Sequence, residues 1–129
     1  PFGPVFDRVL VDAPCTGLGT IRRDPEIRWR RGPDDPARLA SSQLAMLHAA
    51  ADTVRPGGRL VYATCSSEPE ENERVVEAFL ASAPAFRHQP SDSEGGEDLA
   101  STIDAQGHLR TYPHVHALDA FFGAALVRD

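Results

Sequence analysis

The sequence predicts an α/β fold built on a mostly parallel sheet. Two apolar runs, residues 5–11 and 59–64, are rich in β-branched and aliphatic residues, as is typical of strands that are buried on both faces. A helical pattern of about 20 residues separates the two runs, so the order strand, helix, strand indicates a βαβ unit. We therefore expect the two strands to be parallel and neighbouring.

Each predicted strand ends at a cysteine, and these are the two cysteines of the chain. The first strand stops at Asp12, Pro14 and Cys15, and the second stops at Cys65. Pro14 restricts this turn through its fixed φ angle. Because ligands of open α/β sheets collect beyond the carboxyl ends of the strands, we expect both thiols and the Asp12 carboxylate in one crevice.

A basic segment follows at residues 22–31, with five arginines, two acids and the single Trp of the chain, Trp29. One interpretation is a loop that holds a nucleic-acid backbone and stacks a base on Trp29. The other is a solvated turn in which Trp29 packs as a hydrophobic lid. The residue types leave both interpretations open.

Two helices are predicted next. Asp35 as cap and Pro36 at the first helical position begin the first one, whose buried face should comprise Leu39, Gln43, Met46, Leu47, Ala50, Ala51 and Val54. His48 lies off this face and is interpreted as a surface residue. The second helix follows Cys65, with Ser67 or Glu68 as its cap, acids at 68–73 in its first turn, and amides that favour the Cys65 thiolate. Its buried stripe should comprise Val75, Val76, Phe79, Leu80 and Ala83.

The remainder of the chain predicts short strands and a polar loop. His114, His116 and Asp119 invite a metal interpretation, which we reject because no further ligand has matching spacing. Short strands are expected at residues 85–89 and 109–113, a loop at 90–96, and an apolar final strand at 121–127.

Composition limits the function. A net charge of −6 and a pI near 5.3 confine any nucleic-acid contact to a local basic patch. The sequence has no apolar run of about 18 residues and no signal-peptide pattern, so a cytoplasmic protein with reduced thiols is expected. A thiolate beside a second thiol suits a thiol hydrolase, a redox pair or a transferase, and these alternatives stay open at the level of residue types.

Several motifs resemble, in the same order, the later motifs of RNA cytosine-5 methyltransferases of the Sun (Fmu) type. The resemblance covers almost the whole chain and is weak from about Ser91 to Gly107. The motifs are D-A-P-C-T-G at 12–17, I-R-R-D-P-E-I-R-W at 21–29, R-P-G-G at 55–58, Y-A-T-C-S at 62–66, E-E-N-E at 70–73, and the closing Y-P-H at 112–114, D-A-F-F at 119–122 and A-L-V-R at 125–128.

The resemblance implies a partial Rossmann-like fold that depends on S-adenosyl-L-methionine, with an antiparallel last strand. It implies that the Cys65 thiol attacks carbon 6 of a flipped-out cytosine in rRNA or tRNA and that Cys15 serves the release of the product. It implies that Asp12 faces both the methyl donor and the base. The substrate-binding residues implied are Pro14, Arg22, Arg23, Arg28 and Trp29.

One departure from the family pattern concerns the methyl donor. The Gly-rich donor motif and the acid that binds the ribose, which the family carries on earlier strands, do not occur in this sequence. The comparison therefore predicts the carboxyl-terminal portion of a catalytic domain, with its first strands missing. We expect a bare edge at strand 5–11 that favours self-association, weak donor binding and no turnover by these residues alone. The alternative is a non-catalytic module that binds RNA or a partner protein.

Overall fold

The computed structural model of the protein describes residues 2–91 and 97–129. Its strands are β1 (Phe6–Asp12), β2 (Val54–Thr64), β3 (Phe86–His88), β4 (Leu109–Arg110) and β5 (Phe122–Arg128). Its helices are α1 (Ile27–Arg30), α2 (Asp35–Ala51), α3 (Glu73–Ser82), α4 (Glu97–Ala100) and α5 (Pro113–His116), with a 3₁₀ turn at Leu18–Thr20. Within the described ranges the strands form one sheet in the order β1-β2-β5-β3, and β4 pairs with β5.

The predicted βαβ unit is confirmed. β1 and β2 are parallel neighbours, with Val9 in register with Leu60 and Asp12 in register with Ala63, and α2 connects them. β5 runs antiparallel to β2 and pairs Ala124 with Tyr62, as the resemblance implied for the last strand. The carboxyl ends of β1 and β2 consequently lie side by side.

The core lies between the sheet and the two long helices. The cluster of buried side chains is contributed by α2, α3 and the sheet, and its members Leu47, Leu60, Tyr62, Phe79 and Leu126 are fully buried. Each such side chain removes a large apolar area from water, which stabilises the fold by roughly 1.5–3 kcal/mol. These contacts fix the positions of α2 and α3 relative to the two strands that carry the cysteines.

Helix α2, the first of the two predicted helices, departs from its prediction at both ends. Its cap is Asp34, one residue earlier than predicted, and the Asp35 carboxylate accepts a hydrogen bond from the Gly32 amide at 3.0 Å. Met46, predicted on the buried face, is 42% exposed, and Val54 belongs to β2. Gln43, Leu47 and Ala51 are buried, and Ala50 packs partly buried against the core, so the covered stripe is narrower than the predicted face.

Helix α3, the second of the two predicted helices, begins later than predicted. Asn72 precedes its first residue, so neither Ser67 nor Glu68 is the cap. Residues 69–72 form turns before the helix, and the Glu71 and Asn72 side chains are buried there. Of the predicted stripe, Val75, Val76 and Phe79 are buried, and Leu80 and Ala83 pack partly buried against the core.

The remaining strands agree with their predictions to within a few residues. β3, β4 and β5 occupy the runs predicted at 85–89, 109–113 and 121–127. Most of the loop predicted at 90–96 lies outside the described residues. Among the residues that are described, no helix is long and apolar enough to cross a membrane.

One edge of the sheet has apolar side chains in solvent. β1 pairs with β2 on one side only, and no other described strand pairs with it. Val5 is 61% exposed and Leu10 is 66% exposed. An unpaired edge of this kind is a template for pairing with another chain, so self-association through β1 stays a prediction.

Candidate active site

The two cysteines lie in contact at the carboxyl ends of β1 and β2. The Sγ atoms of Cys15 and Cys65 are 3.1 Å apart, and both thiols are free and half-buried. The predicted meeting of the two thiols is therefore confirmed. It follows from the register of the parallel strands, because Asp12 pairs with Ala63 and each cysteine lies two or three residues beyond that pair.

Contact between the thiols gives Cys15 and Cys65 different pKa values. The hydrogen bond from the Cys15 thiol lowers the pKa of Cys65 from its ordinary value of 9.0 to about 7, although burial and the Asp12 and Glu71 carboxylates oppose this shift. The same hydrogen bond, together with burial, raises the pKa of Cys15 well above its ordinary range. Cys15 therefore keeps its proton near neutral pH, and Cys65 is the thiol of the pair that ionises first.

The predicted role of the α3 amides in this shift is wrong. α3 begins at Glu73, and the backbone amide that lowers the pKa of Cys65 is the amide of Cys65 itself. The pKa of Cys65 is therefore lowered mainly by the neighbouring thiol.

Asp12 and Pro14 complete the first strand end. The Asp12 carboxylate is exposed and lies near enough to Cys65 to act on its pKa. The Ala13 amide donates to the Ala63 carbonyl at 2.9 Å, and the Pro14 carbonyl accepts a hydrogen bond from Gln43 Nε2 at 3.0 Å. The turn that carries Cys15 is thus held by β2 on one side and by α2 on the other.

Glu71 is the residue that sequence reasoning missed. Its side chain is fully buried and accepts four hydrogen bonds. The donors are the Thr16 amide at 2.8 Å, the Thr16 hydroxyl at 2.6 Å, the Ser66 hydroxyl at 2.5 Å and Gln43 Nε2 at 3.0 Å. In the sequence Glu71 is one of several acids after Cys65, and nothing in the spacing of that run distinguishes a buried acid from its solvated neighbours.

The residues on either side of Cys65 are held by a second set of bonds. The Thr64 hydroxyl donates to Asn72 Oδ1 at 2.5 Å, and Asn72 Nδ2 donates to the Ser66 carbonyl at 2.9 Å. The Tyr62 hydroxyl donates to the Glu71 carbonyl at 2.6 Å, which ties the turn before α3 to the sheet. Cys65 consequently stands on a backbone whose flanking polar groups are paired.

Gly19 joins the two thiol-bearing turns to the segment before β5. Its amide donates to the Cys65 carbonyl at 3.0 Å, and its carbonyl accepts from the Ala120 amide at 2.9 Å. A Cβ atom at this position would stand 2.1 Å from the Ala120 carbonyl oxygen. Only glycine allows the backbones to approach this closely.

The basic segment is anchored by some of its arginines and exposes others. Arg22 and Arg23 form ion pairs with the buried Asp119 carboxylate. Arg31 Nε donates to the Thr16 carbonyl at 3.0 Å, beside the cysteine turn. These three side chains hold the segment against the site, so that part of its charge is structural.

Trp29 is 82% exposed, so the interpretation of this residue as a packed lid is wrong. The Arg28 guanidinium lies over the indole ring, 5.8 Å from its centroid. The segment therefore presents an aromatic face and a cation to solvent.

The histidines that invited a metal interpretation have local partners. His116 Nδ1 accepts a hydrogen bond from the Tyr112 amide at 3.0 Å, and the His114 ring packs against Tyr112. Asp119 is occupied by Arg22 and Arg23. Among the described residues no three His, Cys, Asp or Glu side chains are grouped as a metal site.

Comparison with known proteins decides the family. The family model described as 16S rRNA methyltransferase RsmB/F matches residues 2–127. The chain belongs to the RsmB/F family. The resemblance of its motifs to Sun-type methyltransferases is thereby confirmed.

The relatives of this RsmB/F chain include proteins named as ribosomal RNA methyltransferases and proteins of known structure. It is 42% identical over 117 residues to the probable ribosomal RNA small subunit methyltransferase B of Bacillus subtilis, which covers 91% of the chain and 26% of that relative. The crystal structure of PH0851 matches with 40% identity and a TM-score of 0.86, over 98% of the chain and 27% of that protein. NSun6 from Pyrococcus horikoshii, solved with SFG, matches with 32% identity and a TM-score of 0.72, over 92% of the chain and 29% of that protein.

The RsmB/F chain spans about a quarter of the length of the curated relatives that it matches. The comparisons establish the family and the methyltransferase-like fold.

Proposed function

We propose that the complete protein methylates carbon 5 of a cytosine in small-subunit ribosomal RNA, with Cys65 as the nucleophile. The observation that carries the proposal is the contact of 3.1 Å between two free thiols at neighbouring strand ends. The pKa of Cys65 is lowered in this contact and the pKa of Cys15 is raised. Family membership supplies the reaction class, and the relatives named for ribosomal RNA supply the substrate class.

The first step is addition of the Cys65 sulfur to carbon 6 of the base. A bond forms between sulfur and carbon 6, and the π electrons of the C5–C6 bond move toward carbon 5. The pKa of about 7 supports this step because it supplies thiolate near neutral pH. Since a cytosine inside a helix cannot reach the sulfur, the target base must leave its stack, as in other enzymes that act on bases.

Asp12 is the described residue that suits the methyl donor. S-adenosyl-L-methionine, when bound, supplies the methyl group that carbon 5 takes up. The donor carries an ammonium and a sulfonium, and the exposed Asp12 carboxylate at the end of β1 is a suitable acceptor and counter-charge for such groups. The NSun6 structure solved with SFG, a donor analogue, supports this cofactor class for the chain.

The last step releases the product. Carbon 5 loses its proton to a water molecule, the C5–C6 double bond reforms, and the bond between carbon 6 and sulfur breaks to return Cys65 as a thiolate. Cys15 keeps its proton at neutral pH and contacts the Cys65 sulfur, so it can donate a hydrogen bond to the departing thiolate. This geometry supports a role of Cys15 in product release.

The basic segment supplies the contact with RNA. Exposed Trp29 offers a stacking surface, and Arg28 offers a cation beside it. Arg22 and Arg23 neutralise Asp119 and keep the segment close to the thiols while their solvent-facing surfaces remain available to phosphates. Pro14 stiffens the turn that faces the substrate.

The test is transfer of a labelled methyl group to small-subunit ribosomal RNA by the complete polypeptide, with the position of the methyl group read by nucleoside mass spectrometry. We expect 5-methylcytosine with the parent protein and none with Cys65→Ala. We expect Cys15→Ala to accumulate a covalent protein–RNA adduct that resists denaturation. Methylation at another atom, or full turnover by Cys65→Ala, would refute the mechanism.

A further inference from the structure

We propose that Glu71 is a positioning residue that holds Cys15 and Cys65 at contact distance for the methylation step. The inference rests on the proposed function for its catalytic consequence, and on hydrogen-bond geometry alone for its structural part. Glu71 lies outside the sulfur contact itself and acts through the two residues that follow the cysteines.

The carboxylate connects the two thiol-bearing turns directly. Thr16 follows Cys15 and donates both its amide and its hydroxyl to Glu71. Ser66 follows Cys65 and donates its hydroxyl to the same carboxylate, at Oε2. A single side chain therefore fixes the separation of two turns that belong to different strands.

The set of donors suits a carboxylate at this position. A carboxylate is an acceptor only, and its two oxygens accept all four of these bonds, whereas an amide would keep the two N–H bonds at its oxygen and reverse the bonds of the two hydroxyls, which would then have to accept. Glu71 is fully buried, and no arginine or histidine of the described ranges forms an ion pair with it. A buried charge without a counter-ion is stable only when hydrogen bonds replace its hydration, and here four of them do so.

The electrostatic effect of Glu71 argues that its role is positional. Its negative charge raises the pKa of Cys65 and so opposes formation of the thiolate. A residue selected to activate the nucleophile would have the opposite sign. Its benefit must therefore come from geometry, because reacting groups held in contact react far faster than groups that must find one another.

Loss of the Glu71 charge should loosen the contact between the thiols but lower the pKa of Cys65. The proposal is testable because the two effects can be measured separately. Glu71→Gln in the complete polypeptide removes the charge while nearly preserving the volume. Glu70→Gln is the matched control, because it makes the same charge change at the adjacent residue, whose carboxylate pairs with Arg74 near the surface. Thermal melting of each variant records whether the protein is folded.

Two measurements report the thiol pair without RNA or methyl donor. The first is the rate of disulfide formation between Cys15 and Cys65 on addition of diamide, followed by the loss of two free thiols and by peptide mass. The second is the pH midpoint for alkylation of Cys65 by iodoacetamide. For Glu71→Gln we expect disulfide formation to slow by about tenfold although the alkylation midpoint moves to lower pH, and Glu70→Gln to match the parent.

Methyl transfer supplies the catalytic measurement. We expect kcat of Glu71→Gln to fall by about tenfold or more with little change in KM for RNA, since the variant leaves the RNA surface intact. If the disulfide rate depends on Glu71 but the parent transfers no methyl group, the positioning role stands and the proposed function fails. If Glu71→Gln keeps the parental disulfide rate and kcat while only its alkylation midpoint moves, Glu71 acts through charge alone and the proposal is overturned.

A second variant covers the case in which Glu71→Gln does not fold. Ser66→Ala removes one of the four bonds and keeps the carboxylate. We expect a smaller reduction in disulfide rate with no fall in the alkylation midpoint. A disulfide rate equal to that of the parent in folded Ser66→Ala would contradict the tie between the Ser66 turn and Glu71.

Discussion

Removal of the Cys15 thiol should change the acidity of Cys65 in a way that can be worked out from the contact between them. The hydrogen bond from Cys15 is the largest cause of the lowered pKa of Cys65, and the remaining influences include burial and two carboxylates that raise it. In Cys15→Ala the pKa of Cys65 should therefore return at least to its ordinary value of 9.0. At pH 7 the thiolate fraction falls from about one half to about 1%.

The alkylation rate should change less than the thiolate fraction. A thiolate of higher pKa is intrinsically more nucleophilic, with a Brønsted slope of about 0.4–0.5, so a rise of about two pKa units makes each thiolate roughly tenfold more reactive. The net result at pH 7 is a decrease of about fivefold in the rate of alkylation, whereas above about pH 8 the variant should react faster than the parent. The two pH profiles therefore cross.

The assay is the initial rate of alkylation of Cys65 by iodoacetamide between pH 5.5 and pH 10.5 on roughly a half-unit grid, with the modified peptide identified by mass spectrometry. Cys15→Ser is the control, because its hydroxyl retains a donor and should keep the midpoint below that of Cys15→Ala. A Cys15→Ala profile with the same midpoint as the parent would refute the reasoning, since it would mean that the contact of 3.1 Å does not set the acidity of Cys65.

Three further predictions concern other parts of the molecule. Gly19→Ala should lower the free energy of unfolding by about 3 kcal/mol in denaturant titrations, because its Cβ overlaps the Ala120 carbonyl; Gly32→Ala, where the space is open, should change it by less than about 1 kcal/mol, and equal effects would contradict the packing argument. Trp29→Ala should weaken binding to small-subunit ribosomal RNA by about tenfold in filter-binding or fluorescence titrations, without a change in melting temperature; unaltered affinity would remove Trp29 from the interface. Residues 1–129 alone should self-associate through β1, and light scattering that reports a monomer at about micromolar concentration would contradict this expectation. They should also bind S-adenosyl-L-methionine weakly without turnover, and calorimetry that reports about micromolar donor affinity would contradict that.

Most of the fold could be predicted from local patterns in the chain. The run of apolar residues before Asp12, the helical spacing of Leu47 and Ala51, and the apolar run before Cys65 each report a single element, and short connections leave few ways to arrange them. The meeting of the two thiols followed from topology, because adjacent parallel strands end at the same edge of a sheet. The boundaries were less accurate: α3 begins at Glu73, after the turns that bury Glu71.

Residue types and their order along the chain were sufficient for the α/β class, for the meeting of Cys15 with Cys65 and for the resemblance to the family, because these depend on local periodicity and on motif order. The folded chain alone decided three other features. They are the burial of Glu71 between Thr16 and Ser66, the different pKa values of the two thiols, and the ion pair of Arg22 with Asp119. Each depends on the distance and solvation of groups far apart in sequence. The sequence does not show whether water or four hydrogen-bond donors surround a carboxylate, and only the tertiary structure distinguishes the two environments.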